Sequence, residues 1–150
     1  MAGATTVSPL AQRLARQVLA HEGGEGGDSA AQAAAAERAC ARLGERLAGL
    51  IGHVGFQALL ARALRLARDE VPTLALVTFD PWAVGALRGL PAFLAAQAGD
   101  PATATAGLTA ILAQLIGLLV IFIGEPLTVR VVRGSWPDLS LGAQDLEERP

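Results

Sequence analysis

Residues 106–124 read AGLTAILAQLIGLLVIFIG, nineteen positions without a charge and with only Thr109 and Gln114 as polar side chains. As a helix this stretch is about 28 Å long, close to the roughly 30 Å of bilayer hydrocarbon, so its length permits a membrane span. The competing reading is the central helix of a bundle, apolar all round because other helices cover every side. The rest of the chain bears on the choice. At least three other segments carry one-sided apolar stripes, and each needs a partner with apolar surface to spare, which a fully apolar helix supplies. The flanks are neutral: Arg130 and Arg133 lie C-terminal and Asp100 N-terminal, a modest positive-inside bias, and no belt of Trp and Tyr brackets the stretch. The packing argument favours the buried helix, and the membrane span stays as the alternative.

Working outward, the segment before it supplies the stripes. Ser8 and Pro9 are a helix-start pair, since Ser can cap free amides and Pro at the first helical position has none to satisfy. Leu10, Leu14 and Val18 then recur at helical spacing to about Ala20, giving a short amphipathic helix. Gly23, Gly24, Gly26 and Gly27, interleaved with Glu22, Glu25 and Asp28, read as a flexible linker. Ser29 and Gln32 have capping-box spacing and open a long Ala-rich helix, in which Ala39, Leu43, Leu47, Leu50 and Val54 form the apolar stripe. Gly49, Gly52 and Gly55 weaken that helix near its end. The pattern then resumes with Leu59, Leu60, Ala63, Leu64, Ala67 and Val71 on one face, and Pro72 ends it.

Residues 73–79 and 127–132 are β-branched and apolar enough to pair as a minor two-stranded element. Asp80 with Pro81 and Asp100 with Pro101 repeat the helix-start signal, and Pro91 divides the intervening segment into two short helices, ending near Gly89 and near Ala98. The expected fold is all-α: a compact bundle around the helix at 106–124. It is organised as a short N-terminal helix with a Gly-rich linker (1–28), a helical bundle domain (29–137) and a mobile acidic tail (138–150).

Composition fits this picture. The chain has 150 residues, 52% of them apolar and 17% charged, which suits one domain and excludes wholesale disorder. Its twelve cationic residues are all Arg against fourteen acids, for a net charge of −2, so no positive field draws in nucleic acid. A single cysteine, Cys40, excludes an intrachain disulfide and fits a reducing, cytoplasmic setting, with the inner membrane as the alternative location. Residues 1–8 lack the basic region and apolar run of a secretory signal.

Residues 54–72 (VGFQALLARALRLARDEVP) and 115–138 (LIGLLVIFIGEPLTVRVVRGSWPD) together resemble an uncharacterised family of small bacterial helical proteins. The resemblance covers under half the chain and implies no activity, cofactor or catalytic residue. Pro126 stands where that pattern has an acid, and implies a bend in what would otherwise be one long helix.

Chemistry-bearing residues are few. His21 and His53 are too few for a three-ligand metal site, no HExxH spacing occurs, and no serine sits in a nucleophile elbow. Cys40 reads as a small core residue. The glycine cluster lacks the Lys and Ser/Thr of a phosphate loop. No catalytic group, metal or cofactor is therefore expected, and the chain reads as a non-enzymatic interaction protein that self-associates or docks on a protein partner. The candidate contacts are two arginine rows, Arg38, Arg42 and Arg46 with Arg62, Arg65 and Arg68, together with Glu125 and Arg130, an acid and a base five residues apart after the apolar run.

Overall fold

The computed structural model describes residues 8–23, 28–80, 87–97 and 99–139. Helix α1, Pro9–Gly23, starts where Ser8 Oγ accepts from the Ala11 amide at 3.2 Å, with the proline in the first turn. Helix α2, Ser29–Glu70, is capped by Asp28, whose carboxylate accepts from the Ala31 amide at 2.8 Å. The cap is thus one residue earlier than the Ser29 expected from the sequence, because a carboxylate at a helix N-terminus also complements the dipole. The glycine-rich residues 24–27, which carry most of the expected linker, lie outside the described residues, as do the acidic tail from 140 onward and residues 81–86, where the Asp80–Pro81 helix start was expected.

Helix α2 bends sharply at Gly52 (φ 84°, ψ 163°), a backbone conformation open essentially to glycine alone. Two limbs result, residues 29–51 and 53–70. The apolar stripe is divided accordingly: Ala39, Leu43 and Leu47 are buried, while Leu50 and Val54 beside the bend turn outward, contrary to the expected continuous stripe. In the second limb Leu60, Ala63, Leu64 and Ala67 are buried as their spacing predicts, and Val71 leaves helical geometry before Pro72.

A 3-10 turn, Pro72–Leu76, follows. Strand β1, Thr78–Phe79, then pairs antiparallel with β2, Leu87–Arg88, in the register Thr78 to Arg88 and Phe79 to Leu87. The minor two-stranded element exists, but with a different partner: residues 127–132 are helical. Their valines are accommodated in α5, Glu125–Ser135, where Thr128, Val131 and Val132 fall on one face and tertiary packing outweighs β propensity. Helix α3, Leu90–Ala96, carries Pro91 in its first turn and begins at Gly89, whose φ of 89° places it in the left-handed region. A side chain at Gly89 would collide with the Leu76 carbonyl. Only one short helix is therefore described in that segment, with a strand where the other was to end.

Helix α4, Pro101–Ile123, is the centre of the fold. Asp100 caps it, accepting from the Thr103 amide at 3.1 Å and the Thr103 hydroxyl at 2.6 Å. Ala110 through Ile116 are buried without a gap, and seven residues in a row make almost two turns, so this part of the rod is enclosed on all sides. The wrapping comes from α1, α2 and α5. Close approach is achieved with small residues: Ala33, Ala35, Ala36 and Ala39 on α2, Ala11 and Ala15 on α1, and Gly107 on α4, which lies against the Phe93 ring. Helix α1 belongs to the same core, with Ala11, Leu14, Ala15, Val18 and Leu19 all buried. The fold is all-α with a minor strand element.

Candidate interaction surface

The first arginine row is used largely within the chain. Arg38 Nε donates to Glu22 Oε1 at 3.1 Å and its terminal nitrogen to the Glu22 carbonyl at 2.7 Å. Arg42 Nε lies 3.3 Å from Glu22 Oε2, and another Arg42 nitrogen donates to the Ser135 carbonyl at 3.1 Å. The indole Nε1 of Trp136 completes the group by donating to Glu22 Oε2 at 2.5 Å. The Glu22 side chain is only 8% exposed, and burial alone would raise its pKa. The Trp136 and Arg38 hydrogen bonds and the charges of Arg42 and Arg38 outweigh that, so the carboxyl titrates below its ordinary value.

This cluster joins the end of α1, the middle of the first limb of α2 and the end of α5. The sequence reading placed Glu22 among the linker glycines and gave Trp136 no role, and so missed both. A signal was present. Glu22 continues the buried spacing Leu14, Val18 at i+4, and Trp136 continues Thr128, Val132 in the same way, so each occupies the next inward position of its helix.

The second row divides differently. Arg62 and Arg65 are exposed, whereas Arg68 is half-buried and donates to the Val77 carbonyl at 3.1 Å, holding the connection after α2. Arg46 lies across α5, with its guanidinium where a Gly134 side chain would otherwise be. Glu125 opens α5 immediately after Gly124, and Arg130 is exposed one and a half turns on.

Among the described residues, two surface depressions bear on this. One, of about 500 Å³, lies between the bend of α2 and α5, with Leu50, Leu127 and Val131 as its apolar part and Glu45, Arg46 and Arg130 at its rim. Leu50 is two residues before Gly52 and Leu127 three after Gly124, so the two glycine bends meet at one end of the bundle. Gly124 has nearly the same geometry as Gly52, with φ 90° and ψ 156°. Leu50, Val54, Ile121 and Phe122 flank these bends and are 55%, 79%, 83% and 61% exposed. The other depression, of about 390 Å³, is more polar, with Gln12, Arg16, Glu70, Thr105 and Thr109 in its walls. Glu70 there accepts from Gln114, the one polar residue in the middle of α4, which explains how an amide is tolerated in so apolar a helix.

His21 and His53 are both exposed and on different elements. Cys40 is fully buried, and burial, with a smaller contribution from Glu37, pushes its thiol up to about 12, which removes it as a nucleophile near neutral pH. Among the described residues, no group of three or more His, Cys, Asp or Glu side chains is arranged to hold a metal ion. By length and composition, α2 and α4 would each be able to cross a bilayer. No protein-family model, curated protein or solved structure matches this chain.

Proposed function

We propose that the protein is a non-enzymatic helical interaction module that works in the cytoplasm, by associating with itself or with a protein partner. The observation that carries this reading is the enclosure of α4: Ala110 through Ile116 are covered all round by helices of the same chain. Moving α4 into lipid would strip those residues from α1 and α2, whose own buried faces would then lose their cover at about 1.5–3 kcal/mol for each large side chain. The apolar end at the two glycine bends is the surface that association would cover, since contiguous exposed apolar patches mark interaction sites. Of the candidate contact residues, Arg62, Arg65 and Arg130 are exposed without a described internal bond, Arg46 lies over Gly134, and Arg38, Arg42 and Arg68 tie segments of the chain together.

The second reading, a protein that inserts residues 106–124 into a membrane, is favoured by the exposure of Ile121 and Phe122 at the C-terminal end of α4. Vesicle flotation and carbonate extraction of the detergent-free protein separate the two. Recovery of folded protein in the aqueous fraction, resistant to flotation, is the expected result. Carbonate-resistant association with vesicles would refute the module and establish insertion.

A further inference from the structure

Among the described residues large apolar side chains are seldom left exposed, and their placement is not scattered. Among the described residues, Leu50, Val54, Leu76, Ile121 and Phe122 are the exposed ones, and all but Leu76 lie within three residues of Gly52 or Gly124. The glycines create this arrangement. Each halts a helix whose apolar face is still running and turns the chain away, so the final apolar positions are delivered to the end of the bundle instead of to its core.

The depression beside these residues has a rim of both signs. Glu45 and Arg46 project from the first limb of α2 and Arg130 from α5, all exposed, and none makes an ion pair with another described residue. A rim of one sign would suit an oppositely charged partner or an anionic bilayer. Here the α2 wall carries Glu45 beside Arg46, whose guanidinium lies back over Gly134, and the α5 wall carries Arg130, so Glu45 of one copy can face Arg130 of another while Arg130 of the first faces Glu45 of the second. In a two-fold contact the same patch is used by both subunits, and residue i of one copy meets residue j of the other while j meets i.

We infer that the groove between the bend of α2 and α5 binds a second copy of this chain. Leu50 and Val54 of each copy cover Leu127 and Val131 of the other, and Glu45 of each faces Arg130 of the other. This inference rests on the reading of the protein as an association module and specifies the surface and the occupant. Charge at such a rim chooses the partner and its register more than it adds affinity, so reversal should act as a specificity switch.

The test uses the full chain without detergent, with mass measured by sedimentation equilibrium across a dilution series. The wild type is expected to be a dimer. Glu45→Arg and Arg130→Glu each place like charges across both halves of the contact and should weaken self-association at least tenfold, with circular dichroism and thermal melting unchanged because both residues are exposed. An equimolar mixture of the two variants restores opposite charges in both halves: the two reversed side chains face each other in one, and the two unchanged ones in the other. That mixture should form a heterodimer at wild-type affinity. Leu50→Glu, an independent variant on the apolar part, should be monomeric and should not be rescued by mixing. A wild type that stays monomeric overturns the inference while leaving docking on another protein intact. A dimer indifferent to both charge reversals and to Leu50→Glu also overturns it, since association would then use another face. A monomer that binds vesicles and loses that binding on Leu50→Glu would overturn it in favour of a lipid-facing end.

Discussion

Replacing Gly52 by alanine isolates the cost of the bend, because nothing lies within 4 Å of a side-chain carbon built at that position. Sterics with neighbours are therefore absent, and the whole effect comes from the backbone. At φ 84° and ψ 163° an L-residue is held in a region essentially reserved for glycine, which costs about 1–3 kcal/mol. Gly49 is the matched control: three residues earlier, inside the helix, exposed, and likewise with nothing within 4 Å. There the same substitution should stabilise by about 0.5–1 kcal/mol, since alanine is the better helix former. The two variants are expected to differ by roughly 1.5–4 kcal/mol in opposite directions from wild type, although they add the same methyl group. Urea denaturation followed by circular dichroism reads this directly, as an increase in midpoint for Gly49→Ala and a decrease for Gly52→Ala with m unchanged. If Gly52→Ala stabilises as much as Gly49→Ala, the chain is helical through residue 52, α2 is one straight rod, and the account of the apolar end fails with it.

Glu22→Ala should cost roughly 1–3 kcal/mol, chiefly because it leaves the buried Trp136 indole N–H unpaired, while the half-exposed arginines contribute less. Urea melts followed by Trp136 fluorescence in a Trp82→Phe background measure it, and a loss below about 0.5 kcal/mol would contradict the clasp. Because the Glu22 carboxyl titrates low in the folded chain, its contribution is complete above the ordinary carboxylate value of about 4.3 and is lost as pH falls through the lower folded value. The stability gap between wild type and Glu22→Gln should therefore narrow in acid, and a gap that widened there would reverse the sign assigned. Gly107→Ala should destabilise by about 1–3 kcal/mol, as the new methyl would approach Phe93 Cζ to 2.6 Å in a packed core, and thermal melting checks it. Cys40, with its thiol pushed up to about 12, should react with a disulfide reagent at pH 8 only at the rate of unfolding, whereas rapid labelling of native protein would show that it is accessible.

Periodicity made most of the architecture readable. The inward faces of α1 and of both limbs of α2 follow from spacing alone, and the proline pairs at residues 8–9 and 100–101 mark two helix starts correctly. What was not readable depends on distance along the chain. Residues 127–132 carry strong strand propensity, yet Gly124 and Pro126 begin a helix there, and the face formed by Thr128, Val131 and Val132 finds its partner only in a folded core. Local propensity contains no information about that partner. The arginine rows illustrate the same limit: spacing put Arg38 and Arg42 on one face of α2, but not that Glu22 and the Ser135 carbonyl would occupy them. At Gly52 the glycine triplet indicated weakness, while the direction of the turn, and hence the outward display of Leu50 and Val54, required the dihedral angles.

The bond between Glu22 and Trp136 spans 114 positions of the chain. Helix α1 is thus locked by a residue synthesised long after it, and a nascent chain that has emerged only as far as α4 holds an acid at the end of α1 without its indole donor. Such a chain can collapse around the central rod with Arg38 and Arg42 already on Glu22, but the carboxylate still lacks one of its partners. The order of α1 is thereby coupled to the presence of the C-terminal helix, because the buried carboxylate gains its indole donor only when residue 136 is in place.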